Sequence, residues 1–143
     1  MTTYPYGVHS SEALDLYERN HTMEIADTCC TLVPYFKIHE GKIADVKALC
    51  EQFIEKARTE SKILHYGFSF DGYQVHCREG YEEAEGILAH LENVGTLLQE
   101  TLKIADLTRL EIHGPEQEIA KLRGPLSDLK PQFFTLEYGF RRG

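Results

Sequence analysis

The chain is short of positive charge. Fifteen Lys and Arg stand against 23 Asp and Glu, a formal net charge of −8. That balance argues against nucleic acid or an anionic membrane surface as the main partner. Long apolar runs are missing too: no stretch approaches the roughly 18 or more residues needed to span a bilayer. The opening MTTYPYGVHSSEALD has no basic segment followed by an apolar one. No secretory signal is read there, and a cytoplasmic protein is expected. The cysteines, Cys29, Cys30, Cys50 and Cys77, contain no C-x-x-C pair, so neither a zinc nor a redox motif is indicated, and reduced, mostly buried thiols are expected. A glycine-rich phosphate loop, a G-x-S-x-G elbow and a dinucleotide fingerprint are all lacking. The Asp71-Gly72 stretch is not followed by the ligand spacing of a calcium loop.

What is present is an ordinary globular composition, 42% hydrophobic and 27% charged over 143 residues. That is enough for one domain with its own core. The most informative stretch runs from Leu64 to Asn93. Asp71-Gly72 between two alternating runs predicts a two-residue hairpin turn, because such a turn needs positive φ. With those two residues as the loop, Phe70 pairs with Tyr73, Phe68 with Val75, Tyr66 with Cys77 and Leu64 with Glu79. One face then carries Tyr66, Phe68, Phe70, Tyr73, Val75 and Cys77. The other carries His65, Gly67, Ser69, Gln74, His76 and Arg78, with Arg78 directly opposite His65.

The remaining elements follow from period and punctuation. Residues 1–28 read as an N-terminal extension, with a short helix over Ser11–Asn20. Residues 29–143 read as a single domain. Cys30–Ile38 is a strand, bulky on both parities, in which Pro34 marks a bulge or an unpaired edge position. Ile43–Arg58 carries one apolar stripe of an amphipathic helix. Tyr81–Leu91 predicts a second helix, with His90 at the edge of its stripe and Asn93 as a helix-end residue before an interruption at Gly95. Thr96–Leu102 adds a turn or two. Leu107–His113 alternates as a strand. Pro115 opens a short helix to about Arg123, and Phe133–Phe140 closes the chain as a strand. The order is β-α-β-β-α-β plus a helix and a strand: an α+β, ferredoxin-like arrangement of an antiparallel sheet with helices on one face. The strand Cys30–Ile38 is too apolar to leave one face in water, so a homodimer with sheet-to-sheet packing is expected.

With LVPYFKI, G-K-I-A-D-V-K-A-L, the strand pair around FSFDG, the R-E-G-Y strand end and A-H-L in the second helix, residues 30–113 resemble the antibiotic biosynthesis monooxygenase family of the dimeric α+β barrel superfamily. The resemblance implies a small-molecule pocket between helices and sheet, bordered by His90. It also implies an activity that needs neither metal nor flavin. Haem-degrading relatives carry a pocket tryptophan and polyketide oxygenases often do, whereas this chain has no Trp. Cofactor-free oxygenation of a phenolic or enolic substrate requires a base near neutrality, a donor for the developing anion and apolar walls. Histidine suits the base. The candidates are His90, His65 and His76 as proton-handling residues, with Tyr35, Tyr66, Arg78, Asn93 and Arg109 as substrate contacts. No cofactor is expected. A metal set of His65, His76 and Glu79 is not expected, since Glu79 falls on the opposite face. An isomerase or lactone-handling enzyme, or a dimeric binding protein without turnover, fits the same parts.

Overall fold

The computed structural model describes residues 24–142, with side chains from residue 26 onward. They form two compact units. In the smaller one, 24–27 with 138–142, strand β1 (Glu24–Ile25) pairs antiparallel with β7 (Arg141–Arg142). The larger, Thr28–Glu137, holds the domain. The helix expected over Ser11–Asn20 lies outside the described residues.

The larger unit runs β2 (Cys30–Ile38), α1 (Ile43–Ala57), β3 (Ile63–Asp71), β4 (Gln74–Tyr81), α2 (Ala84–Leu102), β5 (Ala105–Gly114), α3 (Glu116–Leu122), a 3-10 turn at Ser127–Leu129 and β6 (Gln132–Thr135). The sheet order is β3-β4-β2-β5-β6. All neighbours are antiparallel except β6, which lies parallel to β5. This is the α+β, ferredoxin-like architecture expected, with its closing strand shorter than the predicted Phe133–Phe140.

Alternation sorts the sheet into two faces. Leu32, Phe36 and Ile38 of β2, Val75, Cys77 and Tyr81 of β4, and Leu110 and Ile112 of β5 are buried on the helix side. Helix α1 presents Val46, Cys50 and Phe53 to that face, and α2 presents Ile87, Val94 and Leu97. The spacing of three and four that marked these helices in sequence is the spacing of their buried stripes.

Three local readings need correction. The hairpin turn sits one residue later than expected. Asp71 pairs with Gln74, Phe70 with Val75, Phe68 with Cys77 and Tyr66 with Glu79, leaving Gly72-Tyr73 as the loop. Gly72 alone takes positive φ there, 55°, so glycine occupies the first central position, where it costs nothing. The aromatic face survives without Tyr73, and Glu79, expected opposite Leu64, stands opposite Tyr66. Arg78 lies opposite Gly67, not His65.

For Pro34 the bulge alternative holds, and only the unpaired edge position is corrected. The residue sits in the central strand and pairs with Leu110, but the β2–β4 pairing skips Val33 and Pro34, and the β2–β5 register shifts between Tyr35 and Phe36. The missing N–H is absorbed by that irregularity. The Pro34 carbonyl accepts a hydrogen bond from His76 Nδ1 at 2.8 Å.

The second helix starts at Ala84 and passes through Gly95 without a break. Packing of Val94 and Leu97 outweighs the roughly 1 kcal/mol that an interior glycine costs. A Cβ at Gly95 would meet nothing within 4 Å. Gly95→Ala is therefore expected to raise stability by about 0.5–1 kcal/mol in urea unfolding. At the other end of α2, Glu118 of α3 accepts the backbone N–H of Ala84 at 3.1 Å and pairs with Lys121. It caps α2 from outside its own helix, where Glu83 makes no side-chain cap. Glu118→Ala should cost about 1–2 kcal/mol in the same measurement.

Candidate active site

The helix-side face of the sheet carries one polar cluster in an otherwise apolar interior. Its centre is His90, 2% exposed, on the buried side of α2. His90 Nδ1 donates to Glu60 Oε2 at 2.8 Å. The carboxylate only accepts, so the ring proton sits on Nδ1 and the lone pair is at Nε2. Nε2 looks at Glu79 Oε1 across 3.7 Å, too far for a hydrogen bond and near enough for a proton to cross with a small side-chain adjustment. Tyr81 donates its hydroxyl to the same Glu79 oxygen at 2.7 Å. The rings of Tyr66 and Tyr81 close on the imidazole, with centroids 5.1 and 5.5 Å away.

Local structure explains how these groups are held. Helix α1 ends at Ala57 and the chain turns, with Glu60 N–H bonded to the Ala57 carbonyl. The Lys56 carbonyl is taken by the Thr59 hydroxyl and by Asn93 Nδ2. The same amide nitrogen of Asn93 reaches Glu60 Oε2 at 2.9 Å. Asn93 and His90 lie three residues apart on α2, one turn of the helix, and both fall on Glu60. Asn93 is thus a mid-helix positioning residue and not the helix end it resembles in sequence.

Burial sets the proton affinities. Loss of water pushes the Glu79 carboxyl up to about 7, against the hydrogen bonds from Tyr81 and Cys77 and with the charge of Glu60. Burial drives His90 below its ordinary value, partly offset by its bond to Glu60. The Tyr66 and Tyr81 phenols and the Cys77 thiol are raised by burial, so they remain protonated donors at neutral pH. A carboxyl whose proton affinity is raised by burial and an imidazole whose affinity is lowered by it stand side by side, an arrangement suited to general acid–base work.

They border a cavity of about 70 Å³ lined almost entirely by apolar atoms, among them Leu32, Phe36, Phe53, Phe68 and Leu98, with Tyr66, Glu79 and His90 as its polar wall. Among the described residues no Lys or Arg lines it. In such a wall His90 Nε2 can take a proton, Glu79 can give one, and Glu60 can hold the imidazolium that forms in between.

The structure divides the residues singled out in sequence between the two faces of the sheet. His90, Tyr66 and Asn93 come together at the cluster. His76 lies on the other face, stacked on Tyr35 at 4.6 Å, its Nδ1 committed to Pro34. Arg78 and Arg109 are exposed there, Arg109 paired with Glu111 and Gln132. His65 is exposed, its ring over Gly80. None of these five is brought to His90. Glu79 lies across the sheet from His65 and His76, so those three do not converge on one point.

Three members of the cluster, Glu79, Tyr81 and Glu60, escaped the sequence reading as site residues. Glu79 was legible in principle, since Val75, Cys77, Glu79 and Tyr81 share one parity and an acid in that apolar row is anomalous. Glu60 carried no signal; in Arg58-Thr59-Glu60-Ser61 it looks like any loop acid.

The chain matches no family model and no curated protein. Among solved structures, MupZ from Pseudomonas fluorescens is 50% identical, with a TM-score of 0.77 over 80% of this chain and 94% of that one. The chain belongs to the family of MupZ. Two more distant structures share the fold of this MupZ relative. A Nitrosomonas europaea protein is 14% identical with a TM-score of 0.57, covering 63% of this chain and 92% of its own. One from Chloroflexus aurantiacus is 16% identical with a TM-score of 0.52, covering 61% and 92%. Both are named for antibiotic biosynthesis monooxygenases. Among the described residues of the family member in hand, no helix is long and apolar enough to cross a membrane.

Proposed function

We propose that the protein is an enzyme that moves protons on a small, largely apolar organic molecule, as an isomerase or lactone-handling catalyst. The observation that carries this reading is the pairing of His90 with Glu79 at the wall of an apolar cavity. His90 Nε2 removes a proton from the substrate, and the Glu60 carboxylate stabilises the imidazolium. Protonated Glu79 delivers a proton to the oxygen where negative charge gathers. Tyr66 lines the same wall. The protein acts in this reading as a cytoplasmic homodimer packed through the outer faces of its sheets, where Tyr35, His65, His76, Arg78 and Arg109 lie.

Cofactor-independent oxygenation of a phenolic or enolic substrate is the second reading, supported by the fold it shares with proteins named for antibiotic biosynthesis monooxygenases. It needs an electron-rich anion held in the pocket until it reduces oxygen. The described residues of the lining offer that anion no cation, and two carboxyl groups stand nearby. The electrostatics favour a substrate that stays neutral and is never left as a free anion.

The discriminating experiment incubates the protein with a panel of phenols, enols and lactones in deuterated water in a sealed oxygen electrode. Deuterium incorporation or ring opening without oxygen uptake supports proton transfer. Stoichiometric oxygen uptake with hydroxylated product moves the assignment to oxygenation. Sedimentation velocity tests the dimer; a single species at the monomer mass removes it.

A further inference from the structure

The His90–Glu60 pair joins two cavities of different character. The first, bordered by His90 Nε2 and Glu79, is almost wholly apolar. The second, about 280 Å³, opens at the surface where α1 ends, and half its lining is polar. It is walled by Ile54, Ala57, Arg58, Glu60, Ile63 and Tyr66. Glu60 and its side chain are placed between the two. Its Oε2 is occupied by His90 and Asn93. Its Oε1 is buried, and among the described residues nothing donates to it. The side chain as a whole is only 10% exposed.

A buried carboxylate oxygen without a donor is costly, on the order of 1–3 kcal/mol. Retaining one requires a use for it. On its Nε2 side His90 meets Glu79 and an almost wholly apolar lining, a poor path for a proton. We infer that Glu60 is a proton relay, and that the second cavity is the port through which His90 exchanges protons with solvent.

The steps balance. A proton arrives at His90 Nε2, and the Nδ1 proton passes to Glu60. Glu60, now neutral, releases a proton to water on the side of the second cavity. One proton has entered and one has left, and the ring is in its other tautomer. The same path in reverse restores it. Asn93 holds the carboxylate in line throughout, through Oε2. The relay rests on the acid–base reading of His90, but its test reads the free protein and needs no substrate.

The test measures solvent exchange of the His90 Nδ1 proton by NMR in 15N-labelled full-length protein. Glu60→Gln keeps an acceptor for Nδ1 but cannot carry a proton; it should slow exchange on the order of tenfold or more. Ile63→Phe fills the second cavity with Glu60 intact and should slow it likewise. Glu60→Ala should also exchange slowly, and formate added to that variant should restore the rate, since it fits the space left and supplies a carboxylate. Unchanged exchange in Glu60→Gln and Ile63→Phe overturns the relay, as does a formate-insensitive Glu60→Ala. Should Glu60→Gln fail to fold, Ile63→Phe still decides. Failure of the acid–base reading would appear elsewhere, as no deuterium incorporation into any substrate while exchange at His90 still depends on Glu60.

Discussion

Glu79→Gln is expected to stabilise the protein by about 3 kcal/mol at pH 8 and to change little at pH 4.5. The sign follows from burial. In the folded protein the Glu79 carboxyl binds its proton up to about pH 7, where an unhindered carboxyl would lose it near 4.5. Folding therefore favours the protonated form. The stability this group allows is fully present below the unfolded value and is lost as pH rises through the folded one. Glutamine keeps the shape and still accepts from Tyr81, but has no proton to lose. Urea unfolding of both proteins between pH 4.5 and 8 should show the natural chain falling through this window and the variant nearly flat. His90 acts in the opposite direction. Its proton affinity is depressed by burial, so its contribution is present above the ordinary histidine value and is lost as pH falls through the folded one. The natural chain is then squeezed from both sides. Parallel pH curves for the two proteins would mean that Glu79 is already ionised or well solvated in the fold.

Replacing His90 with alanine is expected to lower turnover by roughly 10²–10⁴-fold on whatever substrate shows deuterium incorporation. Among the described residues, His90 is the one base at the cavity wall whose lone pair faces a proton donor. Alanine also removes the group that separates Glu60 from Glu79, so some loss of stability will accompany the loss of rate. His90→Gln fills more of the space and can still hydrogen-bond Glu60, so folding can be checked independently of rate. If the glutamine variant folds and turns over at the natural rate, His90 is a packing residue and the base lies elsewhere. The pH profile supplies a second readout. Activity should rise as His90 loses its proton and fall as Glu79 loses its own, a bell whose limbs belong to the coupled pair. Glu79→Gln should flatten the basic limb while leaving the acidic one.

Much of this protein was determined by its sequence alone. The bulky apolar run Cys30–Ile38 and the three-and-four spacing over Ile43–Arg58 located two elements to within a residue at their ends, because apolar runs and hydrophobic period are local properties of the chain. The parity of Tyr66, Phe68, Phe70, Val75 and Cys77 survived even the misplaced turn, since the observed register keeps these residues on one face. The same period put His90 only at the edge of an apolar stripe, whereas the structure seats it within the buried stripe between Ile87 and Val94. Tertiary structure decided the rest. Gly95 looks like a helix end until the sheet packs Val94 and Leu97 and carries the helix through. His65, His76 and Arg78 share a hairpin with Tyr66, yet alternation sends them to the opposite side of the sheet from His90. Glu60 and Glu79 are 19 residues apart in sequence, and both are far from His90 along the chain or on another element. Only the packing of α2 against the end of α1 and the edge of β4 brings a loop acid, a strand acid and a helix histidine within a few ångströms. The raised affinity of Glu79 comes from that same burial. Period is written residue by residue, whereas desolvation belongs to the closed interior.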